Sequence, residues 1–173
     1  LTDIDRFLLD DATYSNRLQN DLRHPDRTVG EGDRFGYDYR TVRCEVAADG
    51  VVRYRPDRWT AAFGASVGRC VVRRRGFYEK ELFPGAGSYG GSSRLRFTPY
   101  ALRASAGYAF SSRSYLEISA SASAAVPDVE DMFLQPLYNN RTVDDPSLSR
   151  RYGAELGFVR TGGAFELRVT GYL

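Results

Sequence analysis

The stretch YALRASAGYAF (residues 100–110), answered by SYLEISASASA (residues 114–124), decides the fold. In the first half the even positions read Tyr100, Leu102, Ala104, Ala106, Tyr108 and Phe110. The odd positions between them are Ala101, Arg103, Ser105, Gly107 and Ala109. After Ser111-Ser112-Arg113 the alternation resumes, with Leu116, Ile118, Ala120, Ala122 and Ala124 on one side and Glu117, Ser119, Ser121 and Ser123 on the other. A period of two sends such sets to opposite faces of a strand. The reading is a hairpin of two long strands with one apolar face and one small, polar face.

The same alternation recurs on either side. Val42, Cys44, Val46, Ala48, Val52 and Tyr54 share a face, opposed by Arg43, Glu45, Asp49, Arg53 and Arg55. Pro56-Asp57 is a turn signal, and read as a two-residue loop it sets Tyr54 opposite Trp59. The return strand carries Trp59, Ala61, Phe63, Ala65, Val67 and Val71 against Thr60, Ala62, Gly64, Ser66 and Gly68. A last hairpin, turning at Gly162-Gly163, carries Tyr152, Ala154, Leu156 and Phe158, then Phe165, Leu167 and Val169, on one face. The fold class expected is all-β: an antiparallel up-and-down meander of about six long strands (about 40–55, 58–75, 97–110, 114–125, 150–161 and 164–173), part of a larger transmembrane β-barrel. Between the strands, short turns alternate with long loops at 77–96 and 126–149. Residues 1–38 read as an outer loop, with a helical turn or two between Asp5 and Arg23.

Three features favour a membrane wall over a soluble sandwich. The strands run longer than the usual 5–6 residues of soluble sheets and reach the 9–11 that a tilted membrane strand needs. Aromatics gather where the apolar face meets a turn, at Tyr54, Trp59, Tyr108, Phe110, Phe158 and Phe165, the interfacial level of a bilayer. The opposite face is small, polar and mixed in charge, as a wet lumen requires. Apolar content of 42% and the lack of any long apolar run exclude a spanning helix, but alternating strands conceal their apolar half from such averages. A net charge of +2 with interspersed signs carries no nucleic-acid signature. No secretory leader opens the chain and it stops within an alternating run, so an internal piece of a larger protein is expected.

NDLRHPDRTVGEGDRFGYDY (Asn20 to Tyr39), FTPYALRASAGYAFSSRSYLEISASASAAVPDVEDMFLQP (Phe97 to Pro136) and NNRTVDDPSLSRRYGAELGF (Asn139 to Phe158) resemble the barrel region of TonB-dependent outer-membrane receptors of the Bacteroidetes type. The resemblance implies a barrel of about 22 strands around a plugged lumen in the cell outer membrane of a Gram-negative bacterium. It further implies active uptake of a siderophore, vitamin or glycan, energised by a TonB complex through a plug domain outside this chain. Ligand contacts vary among such receptors, so no binding residue transfers. A soluble all-β ligand- or carbohydrate-binding module and a passive porin are the alternatives.

Chemistry beyond transport finds little footing. Gly85-Ala86-Gly87-Ser88-Tyr89-Gly90 matches a dinucleotide fingerprint in letters only, lacking the strand before and helix after. His24 is the sole histidine, which rules out a His-based triad or multi-His metal site here. Asp3, Asp5, Asp10 and Asp11 lack the spacing of a calcium loop, and Asn140-Arg141-Thr142 is a formal glycosylation sequon. No enzyme, cofactor or metal is expected, and alternation separates Cys44 from Cys70, arguing against a disulfide. Two binding sites are expected: a ligand-facing loop with Phe133, Tyr138, Asn139, Asn140 and Arg141, suited to stacking on a sugar or chelate, and a basic run, Arg73-Arg74-Arg75, suited to lipopolysaccharide phosphates.

Overall fold

A computed structural model describes residues 17–173. The expected antiparallel meander is present. Its long strands are β1 (Tyr39–Tyr54), β2 (Trp59–Gly76), β5 (Tyr100–Ser111), β6 (Ser114–Ala125), β7 (Ser149–Thr161) and β8 (Glu166–Tyr172), hydrogen-bonded in the order β1-β2-β5-β6-β7-β8. Two short strands also pair with β2: β3 (Gly90–Gly91), inside the segment 77–96 expected to be loop, and β4 (Leu95–Phe97), which runs from that segment into the first residue of the strand expected over 97–110. The strand expected over 97–110 is broken at Thr98-Pro99. Proline donates no ladder hydrogen bond, and its carbonyl instead accepts from the Gly68 amide at 2.8 Å. A Cβ on Gly68 would stand 3.3 Å from both the Pro99 ring and Ala47, so the crossing needs a residue without a side chain.

Two turns centre one residue later than the sequence suggests. The Trp59 amide bonds to the Pro56 carbonyl at 2.7 Å, leaving Asp57-Arg58 as the loop, with Asp57 at φ 39°. Asp tolerates this left-handed region better than most residues. Val51 therefore lies beside Gly64, and Ala47 beside Gly68, two residues from the pairing that sets Tyr54 opposite Trp59. In the last hairpin the Gly162 amide bonds to the Phe165 carbonyl at 2.6 Å, and the loop is Gly163-Ala164. Shifts of two keep parity, so every side chain keeps its face.

The chain divides into two compact units: Leu1–Cys44 with Val71–Arg96 and Pro127–Pro146, and Glu45–Cys70 with Phe97–Val126 and Ser147–Leu173. The second unit is sheet, and its register is regular across five strands apart from a shift between Ala109 and Ser111 beside the β5–β6 turn. One face stacks in rows: Trp59–Tyr108–Leu116–Phe158–Val169, then Ala61–Ala106–Ile118–Leu156–Gly171, then Phe63–Ala104–Ala120–Ala154. Further from the short turns come Ala65–Leu102–Ala122–Tyr152 and Val67–Tyr100–Ala124–Arg150. The other face stacks Thr60–Gly107–Glu117–Gly157–Thr170, Ala62–Ser105–Ser119–Glu155–Tyr172 and Gly64–Arg103–Ser121–Gly153. Leu102, Leu116 and Ile118 thus oppose Arg103 and Glu117.

The first unit holds most of the buried side chains, and many of them are polar. Val72, Met132 and Phe133 are buried beside Arg74, Lys80, Ser88, Asn139 and Asn140. A short helix, α1 (Val129–Met132), and a 3-10 turn at Gly85–Gly87 interrupt its loops. Of the helical segment expected between Asp5 and Arg23, residues 17–19 are helical and residues 1–16 lie outside the described residues.

Candidate functional site

The first site is a surface. On the apolar face of the sheet unit, Trp59, Phe63, Ile118 and Leu156 are 56%, 52%, 54% and 51% exposed. Tyr54, Val67, Leu102, Phe110, Tyr152, Phe165 and Val169 are exposed on the same face. Together these side chains form a contiguous apolar area on the order of 1,000 Å², beyond the 300–600 Å² of the largest patch on a typical soluble monomer. Aromatics line its turn end, where Trp59 and Tyr108 rings sit 4.7 Å apart and Tyr108 meets Phe110 edge-on at 5.1 Å. Tyr100 and Tyr152 stand toward the other end. From Tyr100 to Phe110 the strand rises about 33 Å, about 25 Å at a 40° tilt, the height of a barrel's lipid-facing band.

The opposite face is polar and shallowly notched. Glu117, Ser119, Glu155, Thr170 and Arg168 surround a hollow of about 70 Å³ where Gly157 leaves room. Such a face suits water or a hydrated partner.

The second site belongs to the loop unit, which two buried cations hold together. Arg74 is 2% exposed. Its guanidinium donates to the carbonyls of Pro136 (2.6 Å), Ser88 (3.2 Å) and Leu137 (3.4 Å) and to Asn140 Oδ1 (2.5 Å), and rests 4.9 Å from the Tyr39 ring. One planar fork thereby fixes the 77–96 loop to the 127–146 loop. Lys80 Nζ donates to the carbonyls of Gln19 (3.0 Å), Asn20 (3.1 Å) and Gly36 (2.5 Å), which uses all three of its protons. Burial pushes its pKa down to about 8, with Arg74 adding repulsion and Asp21 opposing both. Asp21 is held below the usual carboxylate range. Burial raises it, but hydrogen bonds from His24 and from the Glu79 and Arg23 amides outweigh that.

These contacts redistribute the residues expected to bind. Phe133, Asn139 and Asn140 are buried, Tyr138 is half-buried and Arg141 is exposed with its guanidinium 5.8 Å from the Phe83 ring. Asn140 gives its amide to the Ala86 carbonyl at 2.9 Å, and Asn139 bonds Gln135 at 3.1 Å, so both serve the loop's own packing. Arg74 leaves the expected basic cluster for the interior. Its neighbours Arg73 and Arg75 have the opposite parity; Arg73 is half-buried, and Arg75 is exposed with its guanidinium 5.6 Å from the Phe77 ring. Asp3, Asp5, Asp10 and Asp11 lie outside the described residues. Cys44 is exposed and Cys70 buried, both as thiols.

What the loop unit offers a ligand is a cavity of about 540 Å³. Tyr39 and Thr41 of β1 form one wall, Val129 and Glu130 of α1 another, and the turn from Phe133 to Tyr138 the rest. That turn is fixed by Leu134 and Val143 amides bonding the Arg141 and Met132 carbonyls, and by the Tyr138 amide on the Gln135 carbonyl. Sequence reasoning found Phe133 and Tyr138 but missed Tyr39, Leu134 and Leu137, which only the fold brings together. No protein-family model, curated protein or solved structure matches this chain.

Proposed function

We propose that this chain forms part of the wall of an outer-membrane receptor for active nutrient uptake. One observation carries the reading: five strands in register segregate an exposed apolar face, aromatic at its turn end, from a small polar face. Lipid against the first and water against the second satisfies both. A soluble sandwich needs a second layer over the apolar face, and among the described residues that face is exposed. β1 and β8 are the terminal strands of the described sheet, and an open sheet edge in hydrocarbon costs several kcal/mol per unsatisfied backbone group, so further strands would complete the wall. Short turns at one end and long loops at the other match the periplasmic and extracellular sides of such barrels. Resemblance of three segments to TonB-dependent receptors supports energised transport over a passive porin. Loops and a plug outside this chain would capture the ligand, and the inner-membrane complex would then rearrange the plug.

Fractionation of cells expressing the full-length protein tests this. It is expected to stay in the outer membrane through salt and alkaline washes; release by either wash refutes the reading.

A further inference from the structure

With Arg74 turned inward, the arginines at the loop end of β2 regroup with those of its neighbours. On β2 the buried positions there are Cys70, Val72, Arg74 and Gly76, so loops cover that side of the strand. Arg73 and Arg75 take the other parity, the one that carries Trp59, Phe63 and Val67 earlier in the same strand. On β1 Tyr39 meets Arg74 on the covered side, which leaves the exposed Arg40, between Tyr39 and Thr41, on the uncovered one. The Phe77 amide bonds the Asp38 carbonyl at 2.9 Å, and this antiparallel register brings Arg40 opposite Arg75. On β4, which also pairs with β2, Phe97 is buried and Arg96 is exposed, so Arg96 shares the uncovered side.

These four arginines lie in the first unit, and residues 39–44, 71–76 and 90–97 contain no Asp or Glu. None of the four forms an ion pair among the described residues. Like charges directly opposite on neighbouring strands are destabilising, so Arg40 and Arg75 cost stability until an anion joins them. Neighbouring strands stand about 5 Å apart and alternate residues of one strand about 7 Å, spacings that phosphate oxygens bridge through charge-assisted, bidentate contacts. We infer that this cluster docks the phosphates of a glycolipid headgroup in the membrane leaflet at the long-loop end. The parity of β2 selects a lipid over a soluble anion. One side of one strand presents Trp59, Phe63 and Val67 and then Arg73 and Arg75, the order of a lipid's chains and its charged head. The inference names a partner for the wall and rests on the membrane reading.

Titration of the full-length protein, in neutral-detergent micelles, with radiolabelled diphosphoryl lipid A tests it, with the same lipid stripped of both phosphates as the comparison. The phosphorylated lipid is expected to bind at least about tenfold tighter, the order of a charge-assisted contact. Arg73→Gln/Arg75→Gln should remove that difference, and Arg40→Gln/Arg96→Gln, at two exposed side chains, should lower it severalfold where the first variant fails to fold. Arg53→Gln/Arg55→Gln, which removes two charges beside the Asp57-Arg58 turn, should leave it unchanged. Equal binding of the two lipids, affinity unchanged in the first two variants, or equal loss in the third overturns the inference. So does binding of heparin tetrasaccharide as tight as that of the lipid, which would assign the cluster to a soluble polyanion. The wash fractionation reports separately on the membrane reading: retention in the outer membrane without phosphate selectivity removes the docking site and leaves the wall.

Discussion

Arginine placed along one strand reads out the sheet's two faces and its depth. Strand β6 suits this because it pairs on both sides, with Leu116 level with Tyr108 and Ala124 level with Tyr100. Those two tyrosines bracket the band, so Ala120 lies midway. From Leu116 to Ala124 the strand rises about 26 Å, or about 20 Å across a bilayer at a 40° tilt. Arg at Ala120 is therefore expected to cost about 2–4 kcal/mol, falling to about 0–1 at Leu116 once its lost leucine is subtracted; Ala124 is buried and is left out of the series. Ser119→Arg and Ser121→Arg, on the opposite face, are expected to stay within about 0.5 kcal/mol. The assay is reversible denaturant unfolding of the full-length protein in phospholipid vesicles. A flat profile along 116, 118, 120 and 122, or equal costs on the two faces, refutes the reasoning.

The loop unit yields three further expectations. Arg74→Met leaves Asn140 Oδ1 and the Ser88, Pro136 and Leu137 carbonyls without their donor. At about 1–3 kcal/mol per unsatisfied buried group, the loss should total at least about 3 kcal/mol and appear as protease cleavage within 127–146; resistance equal to wild type contradicts it. A Cβ at Gly76 would stand 1.9 Å from the Ser88 carbonyl oxygen, so Gly76→Ala should loosen the same loops, visible as faster amide exchange around Ser88. Lys80, at about 8 in the folded unit against an ordinary 10.5, makes the folded unit bind fewer protons than the unfolded chain between those values. Loop stability should therefore rise with pH through that window, measured by denaturation between pH 7 and 9.5, and the slope should vanish in Lys80→Met.

The faces were legible in the sequence because parity survives errors of register. Two turns were placed a residue early, at Pro56-Asp57 and Gly162-Gly163, yet a shift of two returns every side chain to its own face. Pro99 was legible too, but its consequence was not: that its carbonyl would take the Gly68 amide depends on which strand lies alongside. The loops were the least legible. Arg73-Arg74-Arg75 reads as one basic patch, whereas alternation sends the middle residue to the other face and into a nest of carbonyls. Nothing local marks Lys80 as buried, since its three acceptors come from residues 19, 20 and 36. For the same reason Asn140 reads as a ligand group, and its side-chain amide bonds the Ala86 carbonyl instead, whereas Phe133, though buried, still lines the loop-unit cavity.

Trp59 is the chain's only tryptophan, and it stands on the apolar face in the row nearest the short turns. In full-length protein with any other tryptophans replaced by phenylalanine and reconstituted in vesicles, its fluorescence locates that row. Lipids brominated near the headgroup are expected to quench it strongly, and lipids brominated near the chain ends weakly. Quenching by an aqueous agent alone, with no effect of either brominated lipid, contradicts the claim that this face meets a membrane.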